Sequence, residues 1–330
     1  MHHPRHTITA LLCACLTPWG AWLHAAAFVH PREYHRSNKD LELVFVDVGQ
    51  GDCLFARTPD GRCALLDAGG RPYWLRDDPF EPGRDVVVPF LRARGIPQLD
   101  AIAVSHPHGD HFGGFSAVLA ALPVIRFFDN GYTKGDPDYP ALLDAVTVQM
   151  RIPYHRLRAG DRWKEGDLTV RVLFPPEPVP FDHANNTSLV LAITYRSFSA
   201  LLMADAEREV EEHLLRRHTV TGKVDLLKVG HHGSRTSSTR AFLSLVRPDA
   251  AIISCGRGNR YGHPHPGTVK RLSDMDVDWY RTDRCGDITV LTDGNLFTVI
   301  TSTYVRSQRY RFPENTGRKR RRSASAPTLK

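Results

Sequence analysis

The stretch VSHPHGDHFGG, Val104 to Gly114, decides the fold. It places His106, His108, Asp110 and His111 within six residues, directly after the apolar end of LDAIAVS. Ala101–Val104 reads as a short buried strand, so a cluster of ligand-type side chains sits at a strand's end, where binding groups collect on many scaffolds. In an extended segment side chains alternate, so His106 and His108 point to one side and can grip one cation through imidazole nitrogen. Beyond Gly109 the chain can turn into a helix and carry Asp110 and His111 round to a second ion. A histidine-rich surface loop is the plain alternative. Four donor side chains separated by small or rigid residues favour the metal reading, since clustered His and Asp suit zinc.

A two-ion centre needs more donors than one loop supplies, and three other strand ends offer them. LLMADA puts Asp205 just past an apolar run; its two oxygens can bridge cations, although an N-cap on the following AEREVEEHLL would also explain it. LLKVGHHGS does the same for His231 and His232, with Ser234 close by as a candidate substrate contact. FDHANNTSLVL sets His183, Asn185 and Asn186 just ahead of a strand. His263 in YGHPHP, or His232, can donate a hydrogen bond to a developing oxyanion or protonate a leaving group. In DVGQGD, either Asp47, Gln50 and Asp52 line the site or Gly49 and Gly51 mark a strand-to-strand turn.

The rest of the 330-residue chain, 42% hydrophobic, suits one large domain or two small ones. Arg5 followed by ITALLCACLTPWGAWLHAAA has the form of a secretory signal, so residues 1–27 are expected to be removed and the protein exported to the periplasm or beyond the cell. A retained anchor and a lipoprotein box at Cys15 are the alternatives. No later apolar run is long enough to span a membrane. Export leaves Cys53, Cys63, Cys255 and Cys285 in an oxidising setting. Counting across the hairpin turn TPDG, with the strands joined at Pro59–Gly61, sets Cys63 opposite Ala56 and puts Cys53 and Cys63 on opposite faces, which makes Cys255 and Cys285 the better disulfide candidates. The net charge of +7 is carried by the C-terminus: residues 306–330 hold nine Lys or Arg against Glu314. GRKRRRSASAPTLK has the composition of a disordered tail, either merely solubilising or a tether for polyanions.

Strand-like runs (LELVFVDV, CLFART, RCALLDAGG, LTVRVLF, SLVLAITYR, SALLMAD, VDLLKVG, AAIISC, DITVLTD, LFTVITST) alternate with helix-like ones (FSAVLAAL, AEREVEEHLLRRH, SSTRAFLSLVRP). Antiparallel runs in each half predict a mixed α/β fold of two packed sheets covered by helices, with residues 28–305 forming the domain. His106-x-His108-x-Asp110-His111 resembles the signature of the metallo-β-lactamase superfamily. DVGQGDCLF, LLDAGG, NNTSLVL, LLMADA, LKVGHHGSRTSS and GNRYGHPHP are similar, in order and much of their wording, to the soluble hydrolase domain of ComEC-type DNA-uptake proteins.

That resemblance implies a four-layer αββα sandwich with two Zn2+ ions, manganese being the alternative. His106 and His108 would bind the first ion, Asp110, His111 and His231 the second, and Asp205 would bridge. Asn186 stands where many members have a third histidine, with His183 as substitute, and Ala204 where a glycine often precedes the bridging aspartate. The implied activity is phosphodiester hydrolysis of DNA or RNA by hydroxide generated at the two ions, with Asp110 orienting it. Hydrolysis of a small ester, lactone or lactam is the alternative, and a non-catalytic, metal-stabilised DNA-binding module the third reading.

Overall fold

The computed structural model of the chain describes residues 36–71, 79–301 and 308–311. The expected signal at 1–27 and most of the basic tail lie outside them.

In chain order the strands are β1 (Leu41–Phe45), β2 (Leu54–Arg57), β3 (Cys63–Leu66), β4 (Ala101–Ala103), β5 (Phe127–Asp129), β6 (Tyr154–Arg156), β7 (Arg162–Glu165), β8 (Leu168–Phe174), β9 (Val190–Tyr195), β10 (Phe198–Leu202), β11 (Leu226–Lys228), β12 (Ala250–Ile253), β13 (Asp278–Arg281), β14 (Ile288–Thr292), β15 (Leu296–Thr301) and β16 (Gln308–Arg311). They form a nine-stranded sheet, β16-β15-β14-β1-β2-β3-β4-β5-β6, and a seven-stranded sheet, β13-β12-β11-β10-β9-β8-β7. The helices are α1 (Val88–Ala93), α2 (Gly109–Phe112), α3 (Phe115–Ala121), α4 (Tyr139–Asp144), α5 (Arg208–Arg216), α6 (Arg240–Val246), α7 (Pro266–Asp274) and α8 (Thr282–Cys285).

Strand periodicity builds the layers. In β1, Leu41, Leu43 and Phe45 face the second sheet, while Val44 faces outward with Leu91, Phe115, Val118 and Leu142 of the covering helices. In β12, Ala250 and Ile252 face inward, whereas Ala251 and Ile253 meet Val210 and Leu214 of α5, Phe242 of α6 and Leu272 of α7. Three apolar layers thus separate four layers of secondary structure, the αββα sandwich that was expected. Thr239 caps α6, its hydroxyl accepting from the Phe242 N–H.

Three sequence expectations change. The β2–β3 loop holds three residues, because the Thr58 N–H donates to the Arg62 carbonyl and Gly61 sits at φ +92°. Cys63 therefore faces Arg57 rather than Ala56, and Cys53 and Cys63 share the outer apolar layer. They stay apart by about four strand positions, ~13 Å. None of Cys53, Cys63, Cys255 and Cys285 forms a disulfide among the described residues. Cys255 does not bridge to Cys285: its thiol donates to Asp283 Oδ1 at 3.3 Å, and burial pushes it up to about 12. Finally, β16 pairs antiparallel with β15 inside the segment assigned to the disordered tail, because the free edge of β15 offers backbone partners to Gln308–Arg311.

Candidate metal centre

The donors gather at one end of the sandwich, on loops that leave both sheets. After β4 the chain does not stay extended as the sequence predicts: it bends over Ser105–Pro107, where the His108 N–H donates to the His106 carbonyl at 2.9 Å, and from an extended His108 (φ −105°, ψ 142°) it enters α2 with Asp110 and His111. His106 Nε2 and His108 Nδ1 converge to 3.1 Å. From the other sheet, Asp205 follows β10, and its Oδ2 lies 3.3 Å from His111 Nε2, 3.4 Å from His232 Nε2 and 3.8 Å from both His106 Nε2 and His231 Nε2. The His232 Nε2 atom is also 3.4 Å from Asp110 Oδ2. Asp205 does not cap α5, whose N-cap is Glu207.

Three backbone features fix this arrangement. Ala204, His231 and His232 all have left-handed φ, at +44°, +45° and +52°. Such conformations cost non-glycine residues free energy and concentrate at sites where a side chain must be aimed. Ala204 thus takes the conformation that a glycine adopts more easily. The loops also touch backbone to backbone: a Cβ on Gly51 would stand 2.1 Å from the Asp110 carbonyl oxygen, and one on Gly70 (φ +143°) 2.1 Å from the Gly109 carbonyl oxygen. Gly70→Ala is therefore expected to displace α2, lower stability by about 3 kcal/mol and weaken ion retention. A thermal melt and a metal assay check this; an unchanged melting temperature would contradict the packing.

The donor set fits a binuclear centre. The Nδ1 of His111 is 2.8 Å from Asp67 Oδ2, and that of His232 is 3.1 Å from the Ser254 carbonyl oxygen. Each acceptor draws the ring proton to Nδ1 and leaves Nε2 as the donor atom for a metal. Those two Nε2 atoms and Asp205 Oδ1 are buried without any hydrogen-bond partner. Buried polar atoms are otherwise almost always satisfied. Donor atoms around one tetrahedral zinc at ~2.0–2.1 Å lie ~3.3 Å apart, close to the separations seen here. Four groupings of donor atoms result among the described residues: His106, His111 and Asp205; Asp110, His111 and His232; Asp52, Asp67 and His111; and Asp52, Asp205 and His232.

A family model described as the metallo-beta-lactamase superfamily matches residues 46–257, well over half of the chain. The chain belongs to the metallo-beta-lactamase superfamily. It is 35% identical over 254 residues to ComE operon protein 3 of Bacillus subtilis, covering 75% of this chain and 32% of that protein. It is 30% identical over 273 residues to competence protein ComA of Neisseria gonorrhoeae, covering 82% of this chain and 35% of that one. The chain thus spans about a third of the length of these relatives. The solved metallo-beta-lactamase fold protein YhfI of Bacillus subtilis overlays with a TM-score of 0.50 at 13% identity, covering 77% of this chain and all of YhfI, a likeness of fold. Among the described residues no helix is long and apolar enough to cross a membrane.

In this metallo-beta-lactamase superfamily member the neighbour of an expected donor also faces the centre at two places. Asn186 turns away: its Oδ1 accepts from the Glu207 N–H at 3.1 Å and its Nδ2 donates to Glu209 at 3.2 Å. Asn185 faces the centre instead, with Nδ2 3.3 Å from His231 and Oδ1 buried without a partner. His231, expected as a ligand, is held by Glu207 Oε1 at 2.9 Å from its Nδ1, and His232 takes the place beside Asp110. His183 is exposed on the wall of the cleft.

Other expected residues divide likewise. Gln50 lines the cleft and its side-chain oxygen accepts from the Gly256 N–H at 3.1 Å. Asp47 is a turn residue, accepting from the Gly49 N–H. Ser234 bonds Thr236 at 2.9 Å behind the histidines. Asp52 lies below the centre in a buried ion pair, 2.7 Å from Lys228 Nζ. Burial would raise the Asp52 carboxyl, yet Lys228 and His232 outweigh it and bring it down to about 2. His263 is pushed down to about 4 by burial and by the neighbouring His232 and His231, so at neutral pH it presents a neutral ring. The sequence reading misses the roles of Asn185, Asp67, Glu207 and Lys228.

The centre forms the floor of a cleft of about 540 Å3. One wall carries Tyr132 and Lys134, whose Oη and Nζ both bond Asp182 Oδ1, at 2.9 and 3.0 Å; the other carries Tyr261 and His263.

Proposed function

We propose that the protein is an exported metal-dependent phosphodiesterase that cleaves nucleic acid, holding two divalent ions, zinc or manganese, at this centre. The observation that carries the reading is the convergence of His111 Nε2 and His232 Nε2 on Asp205 at a cleft floor, with both nitrogens and Asp205 Oδ1 buried and without a hydrogen-bond partner. His106, His108 and Asp205 would hold one ion; Asp110, His111 and His232 would hold the other, with Asn185 lining the same cleft. Two such ions lower the pKa of water toward neutrality and polarise a phosphoryl oxygen.

The chain's own residues orient the reaction. Asp110 is the ligand-type carboxylate with the most solvent access, 18% exposed against 3% for Asp205, so it orients the attacking water and accepts its proton. His263, neutral at pH 7, donates a hydrogen bond to the developing charge rather than delivering a stored proton. Asp67 and the Ser254 carbonyl hold the tautomers of His111 and His232. Nucleic acid is supported by the similarity to proteins named for competence and by the basic residues of the tail, which concentrate polyanions.

Mature protein loaded with zinc or manganese tests the proposal against single- and double-stranded DNA, RNA, bis(4-nitrophenyl) phosphate and a chromogenic lactam. Polynucleotides should be shortened, and chelator should stop the reaction. A preparation that opens the lactam and leaves every polynucleotide intact would refute the nuclease reading.

A further inference from the structure

We infer that Tyr261 is a stacking platform for a nucleobase beside the scissile phosphodiester, so that the protein selects polynucleotide whose bases are turned out. The inference rests on the nuclease reading above. Tyr261 is 44% exposed, and it is the large exposed aromatic that lines the cleft. Phe80, Tyr154 and Trp163 are also exposed, but none lines that wall.

The ring stands at the outer end of a ladder that starts at the metal donors. His263 lies 6.1 Å from His232 at an interplanar angle of 31°, and Tyr261 lies 5.8 Å from His263 at 24°. Tyr261 is stacked with His263, which is itself tilted against His232, so a base laid on Tyr261 extends this row of rings and leaves its phosphate on the side of the ions. The Tyr261 hydroxyl makes no hydrogen bond among the described residues, which leaves the π-face as the binding element. Arg260 places its guanidinium 5.3 Å from the ring centroid, on a long exposed side chain. Arg257 is likewise exposed nearby in sequence.

A small ester bound over the ions would not need a platform this far into solvent. A chain of alternating bases and phosphates does, because every base has a π-face and every linkage a charge. Base-to-ring stacking is also tolerant of sequence, so the predicted selectivity concerns base exposure rather than base identity.

The experiment compares cleavage of two labelled oligonucleotides of equal length by the metal-loaded full chain. One carries all its bases; the other is abasic at the residues flanking the cut. Wild type should prefer the first by about 5- to 150-fold, the range that ~1–3 kcal/mol of stacking gives. The preference should reside mainly in KM. Tyr261→Ala should bring the two substrates to parity, and Tyr261→Phe should keep the preference. An alanine variant that loses rate equally on both substrates, or on neither, overturns the platform and leaves the nuclease reading standing. A wild type that cuts no polynucleotide overturns both.

Discussion

Asp205→Ala is expected to strip the protein of both ions and to lower hydrolysis by about three orders of magnitude or more. The carboxylate is 3% exposed, and its Oδ2 lies within 3.8 Å of four imidazoles, those of His106, His111, His231 and His232. No other carboxylate reaches both halves of the centre in this way among the described residues. Asp205→Asn keeps one oxygen donor and the side-chain volume, so it should retain part of the metal and fall between wild type and alanine. Elemental analysis of dialysed protein, read beside kcat, checks both variants. Two ions per chain retained by the alanine variant would show that Asp205 is not the shared ligand.

The second large effect is on stability. Lys228 and Asp52 are 5% and 8% exposed and 2.7 Å apart. Lys228→Met keeps the apolar stem but leaves Asp52 charged in the interior with only His232 Nδ1, 3.4 Å from its Oδ1, in place of a full cation. Breaking such a pair from one side costs about 3–5 kcal/mol, whereas replacing both partners is often close to neutral. The single variant should therefore lose that much in a urea titration, and Asp52→Asn combined with Lys228→Met should recover most of it. A single variant within ~1 kcal/mol of wild type would mean that water reaches the pair.

Lys228 also shows where the sequence was readable and where it was not. Its parity in β11 puts it on the inner face with Leu226, so burial was implied by alternation alone. Its partner was not, because Asp52 reaches it from the other sheet. The His106–His111 cluster was legible since its chemistry is local, an apolar strand, a short spacer and a turn into helix, although the bend at Pro107 was not. The choice between Asn185 and Asn186 was not, because both lie in a 3-10 turn, Ala184–Thr187, where neighbouring side chains diverge by about a third of a revolution. His231 and His232 were likewise undecidable, since two consecutive left-handed residues abolish the alternation that a strand end suggests. The αββα layering was readable from periodicity. β5, β6 and β7 were not, because they are only three or four residues long and β6 is exposed throughout.

The donors come from both sheets: His106, His108, Asp110 and His111 follow β4 of one, and Asp205 and His232 follow β10 and β11 of the other. Bound cations would therefore rivet the two leaves of the sandwich at the rim, beside the connections that carry the chain from β6 to β7 and from β13 to β14. Ligand at a thousand times its dissociation constant adds about 4 kcal/mol to a native state, so chelation should make that rim breathe. Amide exchange in α2 and around Gly230–Gly233 should then quicken well before the helices on the outer faces respond.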